Sequence, residues 1–174
     1  MLMRGKTMHN TPTNYGYVTI TFHWLAALSI FALFALGYYM VDLTYYHSWY
    51  KTAPALHKSV GVVLFTLMLA RLIWCYKQIT PEYLASHSTL ERKAGKLTHS
   101  ALYLLTFMAM ITGYLISTAD GRGIEVFGLL LIPSFGAFIE NQEDLAGLVH
   151  KWLAYALIAL ALLHALAALK HHFI

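Results

Sequence analysis

Residues 148–173 read LVHKWLAYALIALALLHALAALKHHF, an almost uninterrupted apolar stretch that contains His150 and His164. An α-helix turns by about 100° and rises by about 1.5 Å per residue, so fourteen residues return to nearly the same face about 21 Å further along. One helix would therefore present both imidazoles to the same neighbours at two levels. The same interval recurs in the other apolar stretches, between His57 and Arg71, His99 and Gly113, and His23 and Gly37. This interval predicts four helices that share a two-level arrangement.

The composition is that of a membrane protein. Apolar residues make up 59% of the 174 residues and charged ones 11%, against about 25% charged residues in soluble domains. Four apolar runs are long enough to cross a bilayer, and they predict helices at about 17–41, 55–76, 98–119 and 149–170. A fifth run, 124–139, is too short to cross and is expected to be extramembrane or interfacial. We expect an all-α transmembrane four-helix bundle, with residues 1–174 as one domain.

The basic residues predict the orientation of this bundle. With four spans, both termini lie on one side of the membrane, and lysine and arginine favour the cytoplasmic side. One side carries Arg4, Lys6, Arg71, Lys77, Arg92, Lys93, Lys96 and Lys170, and the other carries Lys51, Lys58, Arg122 and Lys151. Both termini are therefore expected in the cytoplasm. The net charge of +4 is explained by anchoring to anionic lipid, so no nucleic-acid partner is required.

The predicted topology gives each intramembrane histidine a depth. His23 and His164 fall at the cytoplasmic, or inner, level, whereas His57 and His150 fall at the outer level. Ionisable side chains in a bilayer are costly and usually functional, and imidazole is an axial ligand of haem iron. The chain has no C-x-x-C-H motif for covalent attachment. Two pairs at two depths predict two haems held by side chains alone, although a single buried histidine is more often part of hydrogen-bonded packing.

Other residues at the same levels fit this interpretation. Arg71 falls at the inner level, where its guanidinium could pair with a haem propionate. Glycine permits close backbone approach, so Gly37 and Gly113 at the outer level, and Gly61 one turn after His57, are candidates for haem clearance. Small residues in membrane helices also serve plain helix packing, and that alternative remains open for all three.

Polar residues near the two ends suggest where substrates would bind. His171 lies beyond His164 on nearly the same face, and such a protonatable group suits quinone reduction. The alternative is a basic helix end that anchors the protein at the membrane surface. His99 could contact a propionate or a quinone. On the outer side, Lys58 and Lys151 each follow a predicted ligand and could draw in a small anion, or could simply extend to the membrane interface.

The chain resembles a known family over nearly its whole length. The segments that carry the resemblance are TFHWLAAL (21–28), APALHKSVG (53–61), ISTADG (116–121), LVHKWLAY (148–155) and LHALAALKHHF (163–173). They are similar to the bacterial cytochrome b561 family, which is related to the cytochrome b subunits of hydrogenases and formate dehydrogenases. The resemblance implies an inner-membrane protein with two b haems, whose ligands are His23, His57, His150 and His164.

The resemblance also implies an activity. The best understood members oxidise superoxide and reduce ubiquinone, with a quinone site at the cytoplasmic end that would involve His171 and His99 or Lys96. The ISTADG segment suggests a branch found beside small periplasmic isoprenoid-binding proteins. We therefore expect a superoxide:ubiquinone oxidoreductase. The alternative is an electron-transfer subunit or membrane anchor for a periplasmic partner, which would dock on residues 120–149.

Overall fold

A computed structural model of the chain describes residues 7–82 and 88–173, with side chains described up to residue 170. Its helices are α1 (Tyr17–Met40), α2 (Thr52–Tyr76), α3 (Thr89–Thr118) and α4 (Gln142–Phe173). Each of the four is long and apolar enough to cross a membrane. The predicted all-α membrane fold is confirmed. Two short strands, β1 (Ile124–Val126) and β2 (Leu130–Ile132), were not predicted.

Two helices begin earlier than predicted because their first turns lie outside the apolar runs. α3 begins at Thr89, whereas the prediction was about 98. Its N-cap Ser88 accepts a hydrogen bond from the Glu91 N–H, and the Glu91 side chain accepts one from the Ser88 N–H. α4 begins at Gln142, whereas the prediction was about 149, and its first turn contains Glu143 and Asp144. Such caps and acidic first turns stabilise helix starts, and hydropathy alone does not detect them.

The bundle consists of two helix pairs. α1 packs along α2 and α3 packs along α4, whereas contacts between α2 and α3 and between α1 and α4 are sparse. A small core of Ala26, Leu64 and Met68 joins α1 to α2. Of the most apolar 18-residue stretch of α1, 6% is buried within the protein. Most of its side chains are therefore available to lipid or to a group held between the pairs.

The chain segment before α1 folds onto the end of α2. The His9 ring stacks on Trp74 with 5.1 Å between centroids, and the Asn10 side chain donates to the Ile79 carbonyl at 3.0 Å. The Trp74 indole N–H donates to the Thr19 hydroxyl at 3.0 Å. These contacts hold the segment before α1 at the same end of the bundle as the ends of α2 and α4. We call this the terminal end, and we call the opposite end, with residues 41–51 and 119–141, the hairpin end.

The fifth apolar run forms a β-hairpin. Ile124 pairs with Ile132 and Val126 with Leu130 in antiparallel register, and the turn has positive φ at Phe127 (51°) and Gly128 (70°). The Ser59 hydroxyl of α2 accepts a hydrogen bond from the Phe127 N–H at 3.0 Å. Ser59 lies seven residues after the start of α2, or about 10 Å along the helix. The hairpin therefore lies beside the bundle and does not project away from it.

The outer surface of this hairpin is apolar. Residues 127–139 contain no charged side chain, and Leu129, Leu130 and Leu131 are 90%, 59% and 60% exposed. Because the hairpin is docked level with Ser59, next to the basic Lys58, its leucines lie near the membrane boundary. This position favours the interfacial alternative for the segment over the extramembrane one.

The Ser59 contact predicts a stability effect. Ser59→Ala leaves the part-buried Phe127 N–H without its acceptor, which we expect to cost about 0.5–1.5 kcal/mol, to lower the melting temperature in detergent and to speed proteolysis within the hairpin. Ser117→Ala is the matched control, because the Ser117 hydroxyl donates to the Gly113 carbonyl of its own helix. Equal effects of the two substitutions would contradict the role of Ser59 in holding the hairpin against α2.

Candidate functional site

The four singled-out histidines meet across the gap between the helix pairs. His23 of α1 lies next to His164 of α4, with 6.4 Å between ring centroids. His57 of α2 lies next to His150 of α4, with 6.3 Å between ring centroids. The two contacts are at opposite ends of the spans. α4 supplies one histidine to each contact, as the fourteen-residue interval between His150 and His164 requires.

These separations suit imidazoles that share one iron. Two imidazoles that bind a metal from opposite sides, each through a nitrogen about 2 Å from it, have ring centroids about 6 Å apart. The distances of 6.4 and 6.3 Å match this arrangement. His99 is different, since its ring centroid lies 5.0 Å from that of His164, which is too short for two imidazoles on opposite sides of one metal. Within the described residues, no group of three or more His, Cys, Asp or Glu side chains could hold a metal ion.

The nitrogen atoms at the hairpin end are also arranged for metal binding. The His150 Nδ1 lies 2.8 Å from the Ala109 carbonyl, to which only a protonated Nδ1 can donate. That tautomer leaves a lone pair on Nε2, the nitrogen that would bind iron. The His57 Nδ1 is buried and has no hydrogen-bond partner. The side chains at this level therefore fit an axial pair of haem ligands.

Two of the predicted glycines contact these imidazoles directly. A Cβ on Gly37 would lie 3.1 Å from the His57 Cε1, and a Cβ on Gly113 would lie 3.3 Å from the His150 Cε1. Each glycine thus gives a histidine ring of the partner helix room to approach. Gly61 differs, because a Cβ there would meet no protein atom within 4 Å. These contacts give Gly37 and Gly113 a role in packing the imidazoles, and clearance for a haem stays a prediction for all three glycines.

At the terminal end, Arg71 reaches the other histidine pair. Its Nη2 lies 3.4 Å from the His23 Nδ1, and its Cζ lies 5.0 Å from the centroid of the Tyr103 ring. Its Nε is buried without a hydrogen-bond partner. No carboxylate of the described residues pairs with it. A half-buried guanidinium with a buried, unused donor suits an anionic group such as a propionate; Tyr103 was not anticipated as its neighbour.

The remaining predicted residues lie at the two ends. Lys96 and His99 are one turn apart on α3, both exposed at the terminal end. The side chain of His171 lies outside the described residues, although the α4 backbone continues past it. At the hairpin end, Lys58 is half-buried and Lys151 is exposed. The structure does not place a substrate next to any of these residues.

An acidic residue near Lys58 was missed by the sequence analysis. Asp120 forms an ion pair with Arg122, at 2.6 Å between Oδ2 and Nη2. The hydrogen bonds from Arg122 lower the pKa of the Asp120 carboxyl, and the positive charge of Lys58 acts in the same direction. Asp120 is therefore ionised at neutral pH, and its negative charge partly offsets the positive charges of Arg122 and Lys58. The spacing of an acid and a base two residues apart in a loop was the signal that could have revealed this pair.

The glycine contacts predict a loss of cofactor. We expect Gly113→Val to displace the His150 ring and to lower the amount of haem bound, measured as haem absorbance per chain. Gly95→Val is the control, because a Cβ at Gly95 meets no atom within 4 Å. Gly61→Ala adds a Cβ that no protein atom opposes, so a loss of haem in that variant would indicate a haem beside it. Full haem content in Gly113→Val would contradict the assignment of His150.

Comparisons with known proteins agree with the geometry. The family model described as prokaryotic cytochrome b561 matches residues 14–174. The chain is 47% identical to cytochrome b561 homolog 2 of Escherichia coli (strain K12) over 165 residues, which cover 95% of this chain and 88% of the relative. It is 27% identical to the probable superoxide oxidase CybB of Yersinia pestis, covering 92% of this chain and 89% of that protein. The chain is a multi-pass inner-membrane protein that belongs to the electron-transferring cytochrome b561 family, which implies haem b.

Proposed function

We propose that this protein is a diheme cytochrome b that carries electrons between the hairpin end and the terminal end of the bundle. The observation that carries this proposal is the pair of histidine contacts at 6.3 and 6.4 Å, one at each end. His57 and His150 would hold one haem, and His23 and His164 the other. Each haem would supply one-electron redox chemistry at its level. The terminal end faces the cytoplasm in this proposal, because basic residues are concentrated there.

The proposed donor is superoxide and the proposed acceptor is ubiquinone. Two superoxide anions each lose one electron and leave as dioxygen, while one quinone gains two electrons and two protons and becomes the quinol. The donor is supported by the 27% identity to a probable superoxide oxidase and by Lys58 and Lys151 beside the proposed ligands of the hairpin end. The acceptor would bind at the terminal end, near His99, Lys96 and His171, where protons can enter from the cytoplasm.

The chain's own residues have separate tasks in this proposal. Arg71 would hold an anionic propionate, since its guanidinium is otherwise without a carboxylate among the described residues. The apolar spans exclude water from the region between the two histidine pairs, which prevents a competing reaction of the electron with solvent. Lys58 and Lys151 would attract the small anion, because cations near a low-dielectric surface raise the local concentration of anions.

A second candidate is an electron-transfer subunit or membrane anchor for a periplasmic partner. It requires only membrane electron transfer, the role that the cytochrome b561 family supports. The exposed apolar hairpin also offers a contact surface next to the proposed ligands of the hairpin end. An isoprenoid-binding periplasmic protein is one such partner in our proposal, and none of the compared proteins is named for one.

Stopped-flow spectroscopy would distinguish the two functions. The oxidised protein, purified in detergent with its haem content measured, is mixed with superoxide in the presence of a short-chain ubiquinone. We expect fast haem reduction, followed by one quinol for every two superoxide anions consumed. Intact haems that superoxide does not reduce would refute the oxidase proposal and leave the partner-linked electron carrier. A purified chain that binds no haem would refute both.

The charges at the hairpin end predict opposite effects on this reaction. Lys58→Gln removes a cation and should slow superoxide capture a few-fold at low ionic strength, whereas Asp120→Asn removes a competing anion and should accelerate it. Both effects should shrink as salt is added, because salt screens exposed charges. Lys77→Gln at the terminal end makes the same charge change far from the proposed entry and serves as the control. Equal rates in all three variants would exclude electrostatic steering.

A further inference from the structure

The two histidines at the hairpin end have different surroundings at Nδ1. His150 Nδ1 lies 2.8 Å from the Ala109 carbonyl and 3.2 Å from the Thr112 hydroxyl. Thr112 is 6% exposed, so this contact is shielded from water. The Nδ1 of His57 is equally buried and has no hydrogen-bond partner. One proposed ligand thus has two polar groups within hydrogen-bond distance of its second nitrogen, whereas the other has no full hydrogen bond there.

The two histidine sites are otherwise built in the same way. Each ring packs against a glycine of the neighbouring helix, Gly37 for His57 and Gly113 for His150. The carbonyl four residues before Gly113 is that of Ala109, which accepts the hydrogen bond. The carbonyl four residues before Gly37 is that of Leu33, which approaches the His57 ring as a hydrogen-bond acceptor without reaching full hydrogen-bond geometry at Nδ1. The two glycine sites therefore offer similar backbone groups.

The residue directly before each glycine is not the same. Thr112 precedes Gly113, whereas Leu36 precedes Gly37. The Thr112 hydroxyl can donate to the Met108 carbonyl or to the Ala109 carbonyl, each at 2.9 Å, and either bond leaves an oxygen lone pair for the His150 Nδ1–H. Leucine has no polar group with which to do this. The His150 site therefore has a side-chain hydroxyl that the His57 site lacks at the corresponding position.

We propose that Thr112 is a positioning residue that, together with the Ala109 carbonyl, holds His150 as the stronger electron donor of the two ligands at the hairpin end. This inference rests on the proposed function. A ligating imidazole that donates its other N–H becomes more basic, and a more basic ligand stabilises the oxidised iron and lowers the reduction potential of the haem. The haem of the hairpin end would thereby pass electrons on more readily.

The test is a redox titration of the purified, haem-containing protein, followed by absorbance and by electron paramagnetic resonance. In Thr112→Val, which keeps the shape but removes the hydroxyl, we expect the potential of one haem to rise and its low-spin ferric signal to shift. Thr112→Ser should restore both toward the wild type. Thr106→Val is the matched control, because Thr106 is also buried on α3 and its hydroxyl donates to the Leu102 carbonyl of its own helix.

A second variant tests the same idea in the opposite direction. Leu36→Thr provides a hydroxyl beside the Nδ1 of His57, so it should lower the potential of the same haem. This variant keeps the inference testable if Thr112→Val does not fold. Unchanged potentials and unchanged ferric signals with both haems intact would overturn the role of Thr112 and leave the proposed function standing. Absence of haem from the wild-type protein would instead overturn both.

Discussion

The arrangement of this molecule depends on imidazole contacts across a gap between two helix pairs. α1 with α2 and α3 with α4 each form a close pair, but the pairs share few contacts with one another. The rings of His23 and His164, and those of His57 and His150, bridge this gap near its two ends. In a bilayer, apolar side chains gain little by leaving lipid for a neighbouring helix. The two histidine contacts, and any group held between their rings, therefore contribute much of the specificity of helix packing that a soluble bundle would obtain from its core.

The four spans and the pairing of the histidines could be predicted because each follows from a fixed dimension. Span length follows from bilayer thickness, and the fourteen-residue interval follows from helix pitch. Ser88 and Gln142, which lie at or next to the true helix starts, were missed because their effect depends on hydrogen bonds to particular backbone groups. The β-hairpin was missed because its docking on α2 depends on Ser59, a residue 65 positions before Ile124 in the sequence.

The residues of the candidate site were only partly predictable for a similar reason. A periodic pattern indicates which residues share a face, so His57 and Gly37 could be assigned to one level. It does not indicate which atoms meet. The contact of Gly37 with an imidazole, the different partners of the two Nδ1 atoms, and the position of Tyr103 against Arg71 all depend on side-chain rotamers and on the tilt between helices. These properties result from packing of the whole bundle.

The distribution of histidines over the helices also has a consequence for biogenesis. α1 and α2 form one helical hairpin, and α3 and α4 form the next, so each could enter the membrane as a unit during synthesis. However, α4 contributes one ring to each of the two histidine contacts. Neither contact can exist until the last helix has been made and inserted. In the proposed diheme arrangement, ligation of either haem by two histidines must therefore follow completion of α4, and a nascent protein that stalls before α4 would present unpaired histidines at both levels.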